Sequence, residues 1–141
     1  VIVEFNVEGC VVGSAVKKIL VVDDEKELAN VTKRILELNG YEVQAAYGGH
    51  EGARIASEFN PDIIVSDVRM PEGSGMDLLK TVRLAKPKAP PHVVMITGYT
   101  DIAEAEFLTE GAAMVLLKPV RANRLVEIVS NLIQSTDTPS T

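Results

Sequence analysis

Asp67 follows the apolar run Ile63-Ile64-Val65 after a single Ser66 and precedes Val68-Arg69-Met70-Pro71, which places a carboxylate at the open end of a buried strand. A carboxylate so placed can serve as a nucleophile in covalent chemistry. Three further apolar runs end in polar residues: Ile19 to Val22 in Asp23-Asp24, Val93 to Ile96 in Thr97-Gly98, and Val115 to Leu117 in Lys118-Pro119. If these ends share one rim, three carboxylates, one hydroxyl and one ammonium meet there.

Whether they share a rim depends on the elements between them. After the strand Ile19 to Val22, residues Glu27 to Leu38 carry Leu28, Val31, Ile35 and Leu38 at helical spacing, and Asn39-Gly40 supplies the left-handed residue that a helix end favours. Tyr41 to Ala46 reads as a strand. Gly49 to Phe59 reads as a helix with Ala53, Ile55, Ala56 and Phe59 inward, stopped by Asn60-Pro61 because proline disfavours helical geometry in the residue before it. The third strand is Ile63 to Ser66. A flexible Glu72-Gly73-Ser74-Gly75 leads into a helix over Met76 to Leu84, and Lys86 to Pro91 breaks the chain before the strand Val93 to Ile96. A helix over Ile102 to Thr109, a strand over Met114 to Leu117 and a helix over Asn123 to Ile133 complete the series.

Alternating strands and helices with continuous apolar runs call for an α/β fold, a doubly wound five-stranded parallel sheet covered on both faces. The common order for such a sheet is flavodoxin-like, 2-1-3-4-5, with the ligand crevice at the carboxyl ends of strands one and three. That order sets Asp23-Asp24 beside Asp67, with Thr97 and Lys118 on the far side.

Composition narrows the function. With 141 residues, 46% of them hydrophobic, one domain with a substantial core fits, over residues 17–134. A second domain of ordinary size does not fit, so the chain reads as a free-standing module or a piece of a longer protein; it also begins without Met. A net charge of −6 and scattered Lys and Arg argue against direct nucleic-acid binding and favour basic partners or metal cations. The lone Cys10 offers no disulfide framework or metal spacing, reads best as a small buried apolar residue, and fits a cytoplasmic location. No segment has the apolar length of a membrane span. Residues 1–16 form an extension in which Val1, Val3, Phe5 and Val7 alternate with Ile2, Glu4, Asn6 and Glu8, a strand-like period without the basic start of a signal peptide. Residues 135–141 form a polar tail expected to be disordered.

Val21-Val22-Asp23-Asp24-Glu25, Asp67-Val68-Arg69-Met70-Pro71 followed by Gly75, Thr97-Gly98, and Lys118-Pro119 together resemble the receiver domain of two-component response regulators. The resemblance covers about Lys17 to Ile133. Each motif alone is weak, but all of them in this order, each after a strand, are specific. The resemblance implies that Asp67 accepts a phosphoryl group from a histidine kinase or a histidine phosphotransfer protein, as in bacterial phosphorelay signalling. A carboxylate attacking an anion needs a divalent cation, magnesium or manganese, to hold both and offset the developing charge. In the family's pattern Asp24 and Asp67 ligate it directly, Asp23 through water, and the backbone carbonyl of Arg69 completes the protein's share. Lys118, aimed by a cis Lys118-Pro119 bond, pairs with the phosphoryl group, and Thr97 donates its hydroxyl to it. Such a domain is not an enzyme beyond catalysing its own aspartyl phosphorylation and dephosphorylation.

Each residue also has a plainer role: Asp24 as a helix cap, Asp23 as a surface acid, Thr97 as a β-branched strand end, Lys118 as a solvated charge. The chain departs from the family in one respect. Where an aromatic usually stands near the start of the fifth strand and reports phosphorylation by turning inward, Val115 stands here, and Val120 replaces the aromatic after Lys-Pro. Tyr99 is the nearest aromatic that could substitute. An alternative therefore remains: a phosphorylation-independent interaction or dimerisation module, with a homodimer formed through the N-terminal strand at a sheet edge or through the fourth and fifth helix region. The downstream target is not legible.

Overall fold

Continuous Ile, Leu and Val runs cannot show a polar face to water, and in the computed structural model they lie side by side at the centre of a sheet. The structure describes residues 16–86, 89–98 and 104–137; Val1 to Val7, Cys10 and Tyr99 lie outside them. The strands are β1 (Lys18–Val22), β2 (Glu42–Ala46), β3 (Ile63–Asp67), β4 (His92–Thr97) and β5 (Met114–Leu117). Between and after them run α1 (Lys26–Leu38), α2 (Gly49–Phe59), α3 (Gly75–Ala85), α4 (Glu104–Thr109) and α5 (Ala122–Asp137). All pairings are parallel, in the order β2-β1-β3-β4-β5. The order reverses between β1 and β3, where Val22 pairs with Ser66, so both strands deliver their terminal acids to the same edge.

Each strand alternates its side chains between two cores. On one face Leu20, Val22, Ile64, Val93 and Met95 pack against Ile55 and Phe59 of α2, Leu78 and Val82 of α3, and Phe107 of α4. On the other, Ile19, Val21, Ile63, Val65 and Val94 meet Ala29 and Leu36 of α1 and Leu125, Ile128 and Val129 of α5. Full burial of each large aliphatic contributes about 1.5–3 kcal/mol.

The apolar residues that mark α1 in the sequence are for the most part not its core contacts. Leu28, Val31 and Leu38 are 45%, 54% and 69% exposed, whereas the buried residues are Ala29 and Leu36. A small residue lets the helix lie close to the sheet, and periodicity alone does not say which of two stripes turns inward. At the C-terminus the helical pattern continues past Ile133: α5 runs to Asp137, into the segment expected to be a disordered tail, and residues 138–141 lie outside the described residues.

The segment before α3 is also better fixed than its glycines imply. Ser74 caps the helix by accepting the Asp77 amide at 3.1 Å. The preceding turn is docked on the start of α2, where the Gly49 and His50 amides donate to the Gly73 and Glu72 carbonyls at 3.1 and 2.9 Å. A Cβ on Gly49 would lie 2.3 Å from the Gly73 carbonyl oxygen, so glycine there is what permits the contact.

Candidate functional site

The ends of β1, β3, β4 and β5 bring the predicted residues to one rim. Asp67, the last residue of β3, pairs with Ile96 and is only 8% exposed. Its Oδ1 accepts the Val68 amide at 2.9 Å and lies 2.9 Å from Nζ of Lys118. Burial works to lower the Lys118 pKa, but the hydrogen bond to Asp67 and the charges of Asp67, Asp23 and Glu25 outweigh it, so the ammonium is held above its ordinary range. Lys118 comes from the turn after β5, where its amide donates to the Thr97 carbonyl at 2.8 Å and the bond to Pro119 is cis. Thr97 is buried at the end of β4, its hydroxyl 3.3 Å from the Gly98 carbonyl oxygen.

On the opposite side, Asp23 and Asp24 follow β1. Carboxylate oxygens of Asp23, Asp24 and Asp67 lie within 4.8 Å of one another. Asp23 is tied down by the Glu25 amide, which donates to its Oδ1 at 2.9 Å. Burial is the chief reason its carboxyl sits above the usual range; that amide opposes the shift, the charges of Asp67 and Asp24 add to it, and Lys118 opposes it. Asp24 is exposed and does not cap α1, whose N-cap residue is Glu25 and which has no side-chain capping bond. Clustered hard oxygens, one of them on a carboxyl that resists ionisation, suit a small divalent cation held directly or through bound water. Arg69, with its side chain exposed, follows in the loop between Val68 and the buried Met70.

Two residues support the site in ways that their sequence context does not reveal. Ser66, fully buried, donates its hydroxyl to the Asp67 carbonyl at 2.8 Å. Gly75, readable as a flexible spacer, is a close-approach point instead: its amide donates to the Val68 carbonyl at 2.8 Å, and a Cβ there would come within 2.5 Å of the Asp67 carbonyl oxygen. The backbone at Asp67 and Val68 is thus held from both sides.

The family model described as response regulator receiver domain matches residues 19–130. The chain belongs to the receiver-domain family. Among curated relatives, this receiver is 31% identical over 122 residues to the regulatory protein AtoC of Escherichia coli K12, covering 86% of this chain and 26% of that protein. It is 33% identical over 119 residues to the transcriptional regulatory protein ZraR of Salmonella typhimurium, covering 84% and 26%. It therefore spans about a quarter of the length of these relatives. Among solved structures, a response regulator receiver domain protein from Clostridium thermocellum superposes with a TM-score of 0.79 at 35% identity, covering 86% of this chain and 97% of that one. A CheY-like receiver domain protein from Methanospirillum hungatei JF-1 gives 0.78 at 31%, covering 86% and 98%. The receiver is thus a signalling module of a two-component response regulator, and its relatives are regulators rather than conventional enzymes. No helix among the described residues is long and apolar enough to cross a membrane.

Proposed function

We propose that Asp67 is the phosphoacceptor and that the domain is a phosphorylation-controlled switch fed by a phosphohistidine on a histidine kinase or phosphotransfer protein. The observation that carries this is the Asp67 carboxylate, shared between the Lys118 ammonium at 2.9 Å and an acid cluster no wider than 4.8 Å. Asp23, Asp24, Asp67 and the Arg69 carbonyl would hold magnesium, or manganese, which offsets negative charge as acceptor and phosphoryl group approach. An Asp67 oxygen forms the new O–P bond while the N–P bond of the donor breaks. The electron pair returns to the imidazole nitrogen, which recovers a proton from solvent. Lys118 pairs with a phosphoryl oxygen in place of the carboxylate, and the Thr97 hydroxyl donates to another.

Leu28 and Val31, exposed on the first turns of α1 beside Asp24, offer a donor protein an apolar foothold next to the acids. Leu108 and Leu117, 45% and 56% exposed, support self-association near α4 and β5.

Magnesium with a small phosphodonor should add one phosphoryl group by intact mass, and Asp67→Asn should abolish the addition because an amide is a poor nucleophile. Normal modification of Asp67→Asn sinks the assignment. A second reading, an interaction module indifferent to phosphate, draws on Val115, which packs against the core where the family carries a switching aromatic. It predicts that partner affinity is the same with and without the phosphoryl group.

A further inference from the structure

Thr32 lies on the inward side of α1, three residues after buried Ala29 and four before buried Leu36. A hydroxyl on a core-facing stripe calls for a reason, since a polar group turned toward an apolar sheet needs a partner. Thr32 is half-buried and lines a small cavity of about 30 Å³, together with Asp23, Asp67 and the apolar Val21, Val65 and Ile96. That volume is enough for one or two waters, and the wall supplies the several polar partners a buried water requires. Among the described residues, the Thr32 hydroxyl takes no protein partner, and threonine in a helix divides between two side-chain rotamers, so it can turn to the cavity.

We infer that Thr32 is a positioning residue of the site: its hydroxyl binds water in the cavity beside Asp23 and Asp67, and that water orients the Asp23 carboxylate for the cation. The inference rests on the magnesium-dependent reading above and adds a residue from α1 to it. Asp23 is otherwise held by the Glu25 amide at a single oxygen, Oδ1. A water anchored by Thr32 fixes the group from the opposite, inner side, in the way that outer partners of metal ligands fix their orientation.

The test is magnesium affinity, measured by titration calorimetry on the wild type, Thr32→Val and Thr32→Ser, with melting temperature in chelator recorded for each. Thr32→Val keeps the branched shape and deletes the hydroxyl; Thr32→Ser keeps the hydroxyl. Valine should weaken magnesium binding roughly threefold to tenfold, as expected for one lost water-mediated link. Its metal-free melting temperature should equal or exceed that of the wild type, and serine should bind within about twofold of it. Equal affinity in wild type and valine variant overturns the inference while leaving the phosphoacceptor reading intact. Serine as weak as valine also overturns it, because shape rather than the hydroxyl would then matter. A wild type that takes up no magnesium removes the reading and this inference together.

Discussion

Replacing Asp23 by Asn should stabilise the metal-free protein while weakening its hold on magnesium. The wild-type group is half-buried and resists ionisation, first because of burial and then because of Asp67 and Asp24, with the Glu25 amide and Lys118 opposing. Even at the outer separation of 4.8 Å, one neighbouring carboxylate repels it by about 3.5 kcal/mol at an effective dielectric constant of about 20. Lys118 cancels part of this, and solvent screening at a half-exposed group removes more, leaving about 1 kcal/mol. Asparagine removes the charge yet keeps an oxygen to accept the Glu25 amide. A folded-state pKa above the unfolded one means that the folded protein binds more protons between the two values. Wild-type stability therefore falls as pH rises from the ordinary Asp value of 3.8 through the raised one, and the loss persists above it. The advantage of Asp23→Asn is accordingly full at neutral pH and fades as pH falls toward 3.8. Thermal melts followed by circular dichroism in chelator should show the variant higher by roughly 3–6 °C at pH 7. With millimolar magnesium the gap should close or reverse, because the cation favours the protein with more ligand charge. A variant that melts below the wild type in chelator at neutral pH, or a gain that does not shrink in acid, refutes the reasoning.

Gly75→Ala should cost about 1–3 kcal/mol by crowding the Asp67 carbonyl. If Asp67 accepts the phosphoryl group, phosphorylation should slow more than in Val82→Ala, a core change on the same helix, which checks that the Asp67 backbone and not general stability is at stake. Ser74→Ala should lose about 0.5–2 kcal/mol in denaturant melts through the missing cap on α3. With beryllofluoride and magnesium as a phosphoryl mimic, amide exchange should change more across Glu104–Thr109 than across Met114–Leu117, since Val115 gives β5 no ring to turn; a larger change in β5 would count against this.

The sheet order and the meeting of Asp23, Asp24, Asp67, Thr97 and Lys118 were legible because buried parallel strands announce themselves as apolar runs, and each run here ends in a polar residue. On α1 the spacing of Leu28, Val31, Ile35 and Leu38 announced the helix but not its buried face, because Leu28, Val31 and Leu38 outweigh the smaller Ala29 in any hydropathy pattern although Ala29, with Leu36, is what packs against the sheet. Ser66 was invisible for a different reason: a hydroxyl bonded to the very next carbonyl leaves no spacing to detect. Gly75 was seen as a motif member, but a glycine's sequence context does not separate freedom of the chain from lack of room.

The docking of the β3–α3 turn on the start of α2 bears on how such domains can be recombined. Gly48 and Gly49 have no room for a Cβ because Glu72 and Gly73 occupy it, and the first amides of α2 are committed to that turn. A chimera that imports a foreign acceptor loop while keeping a bulkier residue at either glycine would inherit a collision and stranded amide donors. The two segments, distant in the chain, form one transplantable cassette, and a crossover point placed between them separates halves that fit only each other.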